Sequence, residues 1–382
     1  MERKKFIATL SFSILFAFGL ALRVIFIPAT TLDMRFGYFV WYDMIAAQGI
    51  LPSLASQSFG YNPPFIYLLA LATLTKGFLP KIIAIKLIPI TFDILNTFIV
   101  HRIVKTQFPE GSRPLLAALL FWLAPTIMVN SSFWGQTDSL YTCFLLLALL
   151  FLLQQRTSAA LFAFGLSVAV KAQGIFFGPL LGLLFFKKRI RWYEFFLVPL
   201  AYLIAQIPAV LAGRPIFSLF STYGAQGETF TKTSMNAPNF YFFLSTNDYN
   251  ASLVIGIPLA ALLLLVWMLV GGRKAYSLTP GILTLAALIS LALTPFLLPK
   301  MHDRYFYPAD IFSLLLAFLL PGTWFVPIAY QVISLLAYAP YLFNVPAQNV
   351  VPIAILINTL TIGFLLWKQW TLTKEKTAPT LD

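Results

Sequence analysis

The chain has 382 residues, 59% of them hydrophobic and only 10% charged, with a mean hydropathy of +0.84 and a net charge of +13. No soluble domain of this length carries so much apolar sequence, so composition excludes a soluble enzyme and predicts an all-α polytopic membrane protein. The cations lie in short loops between apolar runs, where membrane topology places them, so their excess implies no nucleic-acid partner.

Apolar runs are expected near 6–28, 64–79, 82–101, 114–131, 139–153, 158–170, 173–186, 192–212, 251–271, 278–298, 305–320, 324–343 and 350–368. The first follows Arg3-Lys4-Lys5. It is too long for a signal-peptide core and lacks a small-residue cleavage site, so it is read as an uncleaved span. Counting every run as a span would put the loop 102–113, with Arg102, Lys105 and Arg113, on the outer side, against the positive-inside bias. The run 64–79 opens on Pro63-Pro64 and is interrupted by Lys76. Taking it as a re-entrant or interfacial helix in the first outer loop restores the balance. The expectation is then twelve transmembrane helices with both termini inside. One integral membrane domain covers 1–382. Within it, a core at 1–212 carries the outer loop 29–81, a second outer loop spans 213–250, and C-terminal helices fill 251–382. The loop 213–250 is long and polar, the character of a lid. Cys143 lies in an apolar run and has no second cysteine to pair with.

The acids carry more information than the cations. In this topology Glu2, Glu110, Glu194, Glu375 and Asp382 fall inside. Asp33, Asp43, Asp93, Asp138, Glu228, Asp248, Asp303 and Asp310 lie within spans or toward the outer side. The charge rule does not require that asymmetry, so it points to chemistry or ion handling at the outer rim. Asp33 follows the first span in Thr31-Leu32-Asp33-Met34-Arg35. It suits a helix cap or a pair with Arg35, and equally a general base whose carboxyl is raised by apolar walls. Asp43, among Tyr38, Phe39, Trp41 and Tyr42, reads as structural. Asp93 is mid-span and needs a partner on a neighbouring helix. In Trp134-Gly135-Gln136-Thr137-Asp138-Ser139, Asp138 suits an N-cap for the next helix, while Trp, Gln and Asp together offer a stacking plane, an amide and a carboxylate for sugar hydroxyls. Lys171 and Gln173 sit in Val170-Lys171-Ala172-Gln173, where a lysine can snorkel or meet an anion. In Lys300-Met301-His302-Asp303-Arg304-Tyr305 a solvated turn competes with a phosphate site. The clustered donors Lys300, His302 and Arg304 favour phosphate. No phosphate-binding loop, dinucleotide fingerprint or metal-ligand spacing is present in the sequence.

Taken in order, these motifs resemble the GT-C class of integral membrane glycosyltransferases. They are an acid after span one, Tyr61-Asn62-Pro63-Pro64, Trp-Gly-Gln-x-Asp, Lys-x-Gln and a late His-Asp-Arg-Tyr. The nearest branch is the bacterial mannosyltransferase-like one, related to enzymes that use dolichyl-phosphate mannose or glucose. The resemblance covers nearly the whole chain. It implies Asp33 as catalytic base and Asp138 as the second-loop acid. His302, Asp303 and Arg304 would stand near the lipid phosphate. The sequence departs from the pattern at Asn62, at Ala172 and at Gln136-x-Asp138, where an acid-x-acid pair is absent. A hard cation wants several carboxylates, so no metal cofactor is expected.

The function so implied is transfer of a hexose, mannose before glucose, from a polyprenyl-phosphate donor to a hydroxyl of a glycan or lipid acceptor outside the cytoplasm, with inversion. Asp33 and Asp138 are the catalytic candidates. Trp134, Gln136, Lys171, Gln173, Lys300, His302, Asp303, Arg304 and Tyr305 are the substrate-binding ones. The expected location is a bacterial plasma membrane. The rival readings are a transporter or lipid flippase using Asp93, Asp138 and Asp310, and a catalytically silent subunit of a glycosylation complex.

Overall fold

The computed structural model describes residues 2–219 and 231–374. Apart from two strands of two residues each, the regular elements are helical. Among the described residues, six helices are long and apolar enough to cross a membrane: Lys81–Gln107, Trp192–Leu211, Thr246–Arg273, Pro280–Leu297, Val326–Phe343 and Ala347–Leu372. The protein is therefore an all-α, membrane-embedded, polytopic protein. A seventh span results if Arg113–Trp122 and Pro125–Trp134 are counted together, although they meet at a 46° bend. A single apolar run, 114–131, is expected there from the sequence. The bend falls at Ala124-Pro125, where proline removes a backbone donor and pushes its predecessor out of the helical region.

The chain divides into two compact units, Met1–Ile175 with Phe195–Thr231, and Phe176–Glu194 with Lys232–Asp382.

In the first unit, α1 (Glu2–Phe26) leads into a loop that is itself largely helical. A π-helical turn, Met34–Tyr38, runs into α2 (Phe39–Gln48) and then α3 (Ile50–Ala55). The apolar run expected at 64–79 forms the short helix α4 (Pro63–Thr73), which ends before the interrupting Lys76. It starts on proline because a first-turn N–H has no intrahelical acceptor to lose. Next come α5 (Lys81–Gln107), α6 (Arg113–Trp122), α7 (Pro125–Met128), α8 (Asp138–Leu153) and α9 (Thr157–Val170). The Leu197–Leu211 helix closes the unit against α9. That contact depends on Gly165, where a Cβ would come within 2.5 Å of the Val198 carbonyl oxygen. Small residues let backbones approach closely where lipid offers no hydrophobic drive for association.

In the second unit the Pro280–Leu297 helix is central, with 83% of its apolar window buried, whereas Thr246–Arg273 is peripheral at 17%. The expected span 305–320 is the shorter helix Tyr307–Leu319.

Candidate functional site

Asp33 does not cap a helix with its side chain. It stands immediately before the π-helical turn Met34–Tyr38 and makes no capping bond. Its Oδ2 accepts the indole N–H of Trp134 at 2.9 Å and the amide N–H of Gln136 at 2.5 Å. Gln136 Oε1 accepts the Tyr38 hydroxyl at 3.2 Å, which fixes which end of the amide faces Asp33. Tyr38 and Tyr61 place their hydroxyls 3.2 Å apart. Trp134, Gln136 and Tyr38 are buried, while Asp33 and Tyr61 are half-exposed. A partly exposed carboxylate thus rests on a buried donor platform, and residues separated by a hundred positions converge on one oxygen.

Local backbone makes the convergence possible. A second π-helical turn, Val129–Trp134, ends directly before Gly135. Such turns are rare and concentrate at functional sites, because the extra residue redirects the side chains around it. Gly135 follows at φ +80°, and a Cβ there would come within 2.6 Å of Met34 Sδ and 3.3 Å of Lys86 Cε. Only glycine meets both demands. Lys86 is fully buried and donates to the carbonyls of Ala29 at 2.6 Å, Phe133 at 2.9 Å and Phe26 at 3.4 Å. One ammonium therefore ties the end of α1 to the residue preceding Trp134, and holds the Asp33 loop against the tryptophan–glutamine motif.

Asp138 does not serve as the expected N-cap. The helix begins at Asp138 itself, Thr137 occupies the cap, and no side-chain capping bond forms. The Asp138 carboxylate is fully buried. Its Oδ1 is ion-paired with the Lys171 ammonium, and its Oδ2 accepts the Asn130 amide at 2.9 Å. Lys171 ends α9 and also lies 5.9 Å from the Tyr61 ring centre and 5.7 Å from that of Tyr141. It does not snorkel. Gln173 is buried close by in sequence, and its Oε1 accepts no hydrogen bond among the described residues.

Behind this lies a second buried pair. Arg23 on α1 stacks 3.5 Å over the Trp122 ring and bonds Asp93 at 3.1 Å, and Ser131 donates to the same carboxylate oxygen at 2.6 Å. Because Ser131 neighbours Asn130 in the chain, the two ion pairs flank one π-helical turn. The roles of Arg23, Lys86, Asn130 and Tyr38 escaped the sequence reading. The available signal was that a cation inside an apolar run must find carbonyls or an acid. Asp43 meets Lys81 at 2.6 Å in an exposed pair.

The late motif lies in the second unit and is not a solvated turn. Met301–His302 pairs in parallel with Ser234–Met235, and the Asp303 N–H donates to the Met235 carbonyl at 2.9 Å. Lys300 adopts φ +62° and donates to the Tyr249 hydroxyl at 2.5 Å. Asp303 is buried. It accepts the Arg304 backbone N–H at 2.9 Å and stands 3.7 Å from the Arg304 guanidinium. The His302 and Tyr305 rings are 5.1 Å apart. Residues 220–230 of the expected lid, Glu228 included, lie outside the described residues. The part of that loop after Thr231 is anchored within the second unit, Asn239 donating to the carbonyls of Pro295 at 3.0 Å and Leu298 at 3.1 Å.

Among the described residues no cluster of His, Cys, Asp and Glu could hold a metal ion. No protein-family model matches the chain, and none of the curated proteins matches it significantly.

Proposed function

We propose that this protein is a membrane hexosyltransferase of the GT-C type. It would move a hexose, mannose before glucose, from a polyprenyl-phosphate donor to an acceptor hydroxyl. The observation that carries the reading is the Asp33 carboxylate, partly exposed and aimed by two buried N–H donors at the end of the first helix. In the proposed step Asp33 takes the proton from the acceptor hydroxyl as its oxygen attacks the anomeric carbon. The bond from that carbon to the phosphate oxygen breaks, polyprenyl phosphate leaves with the electron pair, and the configuration inverts. General-base assistance of this kind contributes roughly 10²- to 10⁴-fold in rate. Trp134 and Gln136 orient Asp33, and we assign Asp138 with Lys171 a positioning role beneath them. A phosphate-binding role for Lys300, His302 and Arg304 is a separate part of the proposal, to be tested by Arg304→Ala in donor binding. Tyr305 and Gln173 are assigned to substrate contacts on resemblance alone.

A twelve-span topology belongs to the same reading. The six long helices, the bent pair and five of the six shorter apolar helices supply that number, leaving Pro63–Thr73 at the outer surface. Bacterial plasma membrane, with the Asp33 face outside the cytoplasm, is the proposed setting.

The test uses purified protein in lipid with polyprenyl-phosphate mannose or glucose and a mixture of glycan and lipid acceptors. Acceptor-dependent release of polyprenyl phosphate is expected. Donor turnover absent with every acceptor, together with no donor binding, would move the reading to a transporter or scaffold.

A further inference from the structure

At the end of α8 opposite Asp138, the first unit carries a cleft of about 450 Å³. A 16-residue helix spans about 24 Å, so this cleft is remote from Asp33 and its argument does not depend on the proposed reaction. Its volume falls in the range of about 300–1,000 Å³ usual for small-ligand sites. Arg102 and Lys105 enter from the last turns of α5, and Arg156 enters from the turn between α8 and α9. Phe151 forms an apolar wall, Gln154 adds a carboxamide, and no acidic side chain lines the cleft.

The general preference for cations at one membrane face explains positive residues in this loop, but not their convergence on a concavity. The turn that delivers Arg156 is built for it. Gln155 sits at φ +61°, and the Arg156 N–H donates back to the Phe151 carbonyl at 2.8 Å, which reverses the chain directly after α8. The Arg156 guanidinium then lies 5.1 Å from the Phe151 ring centre. The C-terminal ends of α5 and α8 each place about half an elementary negative charge nearby. Three full positive charges exceed that, so the cleft remains an anion site. Its place at the ends of membrane helices, beside an aromatic wall, selects an anion that arrives with a hydrocarbon chain.

We propose that this cleft binds the phosphate headgroup of an anionic phospholipid, with Arg102, Lys105 and Arg156 as its ligands. Basic pockets between membrane helices bind such headgroups through charge and arginine's paired donors.

The experiment compares retention of phosphatidylglycerol, cardiolipin and phosphatidylcholine by the purified full-length protein, read by native mass spectrometry and by the lipid-induced shift in Tm. The wild type is expected to retain the anionic lipids selectively. The combined variant Arg102→Gln, Lys105→Gln, Arg156→Gln is expected to lose roughly 100-fold in affinity, at about fivefold for each cation. Lys188→Gln with Arg189→Gln, which removes exposed cations outside the cleft, is expected to keep the selectivity. If the combined variant does not fold, Arg102→Gln alone must still show the fivefold loss. Selectivity kept by the cleft variants, or lost equally in the Lys188/Arg189 variant, overturns the proposal. So does stabilisation by inorganic or glycerol phosphate as strong as by the lipids, which would make the ligand a soluble phosphate.

Discussion

Two aspartates that look alike in sequence occupy opposite environments. Asp33 is half-exposed and receives two neutral N–H donors, whereas Asp138 is sealed in with a lysine. In the proposed mechanism that difference assigns the base to Asp33 and a positioning role to Asp138. Replacing Gln136 by leucine removes one donor and leaves the carboxylate in place. Hydrogen bonds to charged groups are worth about 1.5–3 kcal/mol and the Tyr38 hydroxyl loses its acceptor as well, so turnover should fall roughly 10- to 100-fold and Tm should fall with it. Lys171→Met should act on folding instead. Leaving Asp138 buried without its cation costs about 3–5 kcal/mol, read as a lower Tm in detergent. The double variant Asp138→Leu, Lys171→Met should be less destabilised than Lys171→Met alone, because no uncompensated charge remains. A double-mutant cycle on Tm checks this.

Helices were legible from their apolar runs, and what interrupts them was not. Pro125 bends an apolar run, and two π-helical turns bracket the parts of the site, yet hydropathy averages over all of them. The same holds for the loop 29–81. Its position and Pro63 start could be read from sequence, but its helices at Phe39–Gln48 and Ile50–Ala55 could not, because their apolar faces are set by packing. The Trp134–Asp138 motif was visible as a string. That Trp134 and Gln136 address Asp33 while Asp138 addresses Lys171 is long-range information, dependent on the turn at Gly135. Gly135→Ala forces a side chain into a left-handed conformation against Met34 and Lys86. A cost of about 1–3 kcal/mol is expected. Activity should drop with it, since the strain falls on the turn between Trp134 and Gln136. Measuring Tm and turnover on the same preparation separates this from Gly165→Ala, which should lower Tm through the helix crossing at Val198 and leave the Asp33 contacts intact.

At the scale of the first unit, Arg23 is paired with Asp93, Lys171 is paired with Asp138, and Lys86 rests on three backbone oxygens. The two acids that a transporter reading would use as an ion path in this unit are each ion-paired, Asp93 with Arg23 and Asp138 with Lys171. Topology follows from the same charge logic and is open to direct measurement. In a Cys143→Ser background, cysteine placed at Gly77 should react with an impermeant thiol reagent from outside, and cysteine at Gly111 only after the membrane is opened. Neither position crowds an added side chain, although both glycines have positive φ. The measurement that reaches the central claim is single-turnover release of polyprenyl phosphate from bound donor by wild type, Asp33→Asn and Asp33→Glu. The account predicts that Asp33→Asn binds donor as wild type does and loses roughly 10²- to 10⁴-fold in rate, with part of the rate kept by Asp33→Glu. Wild-type turnover in Asp33→Asn would contradict it.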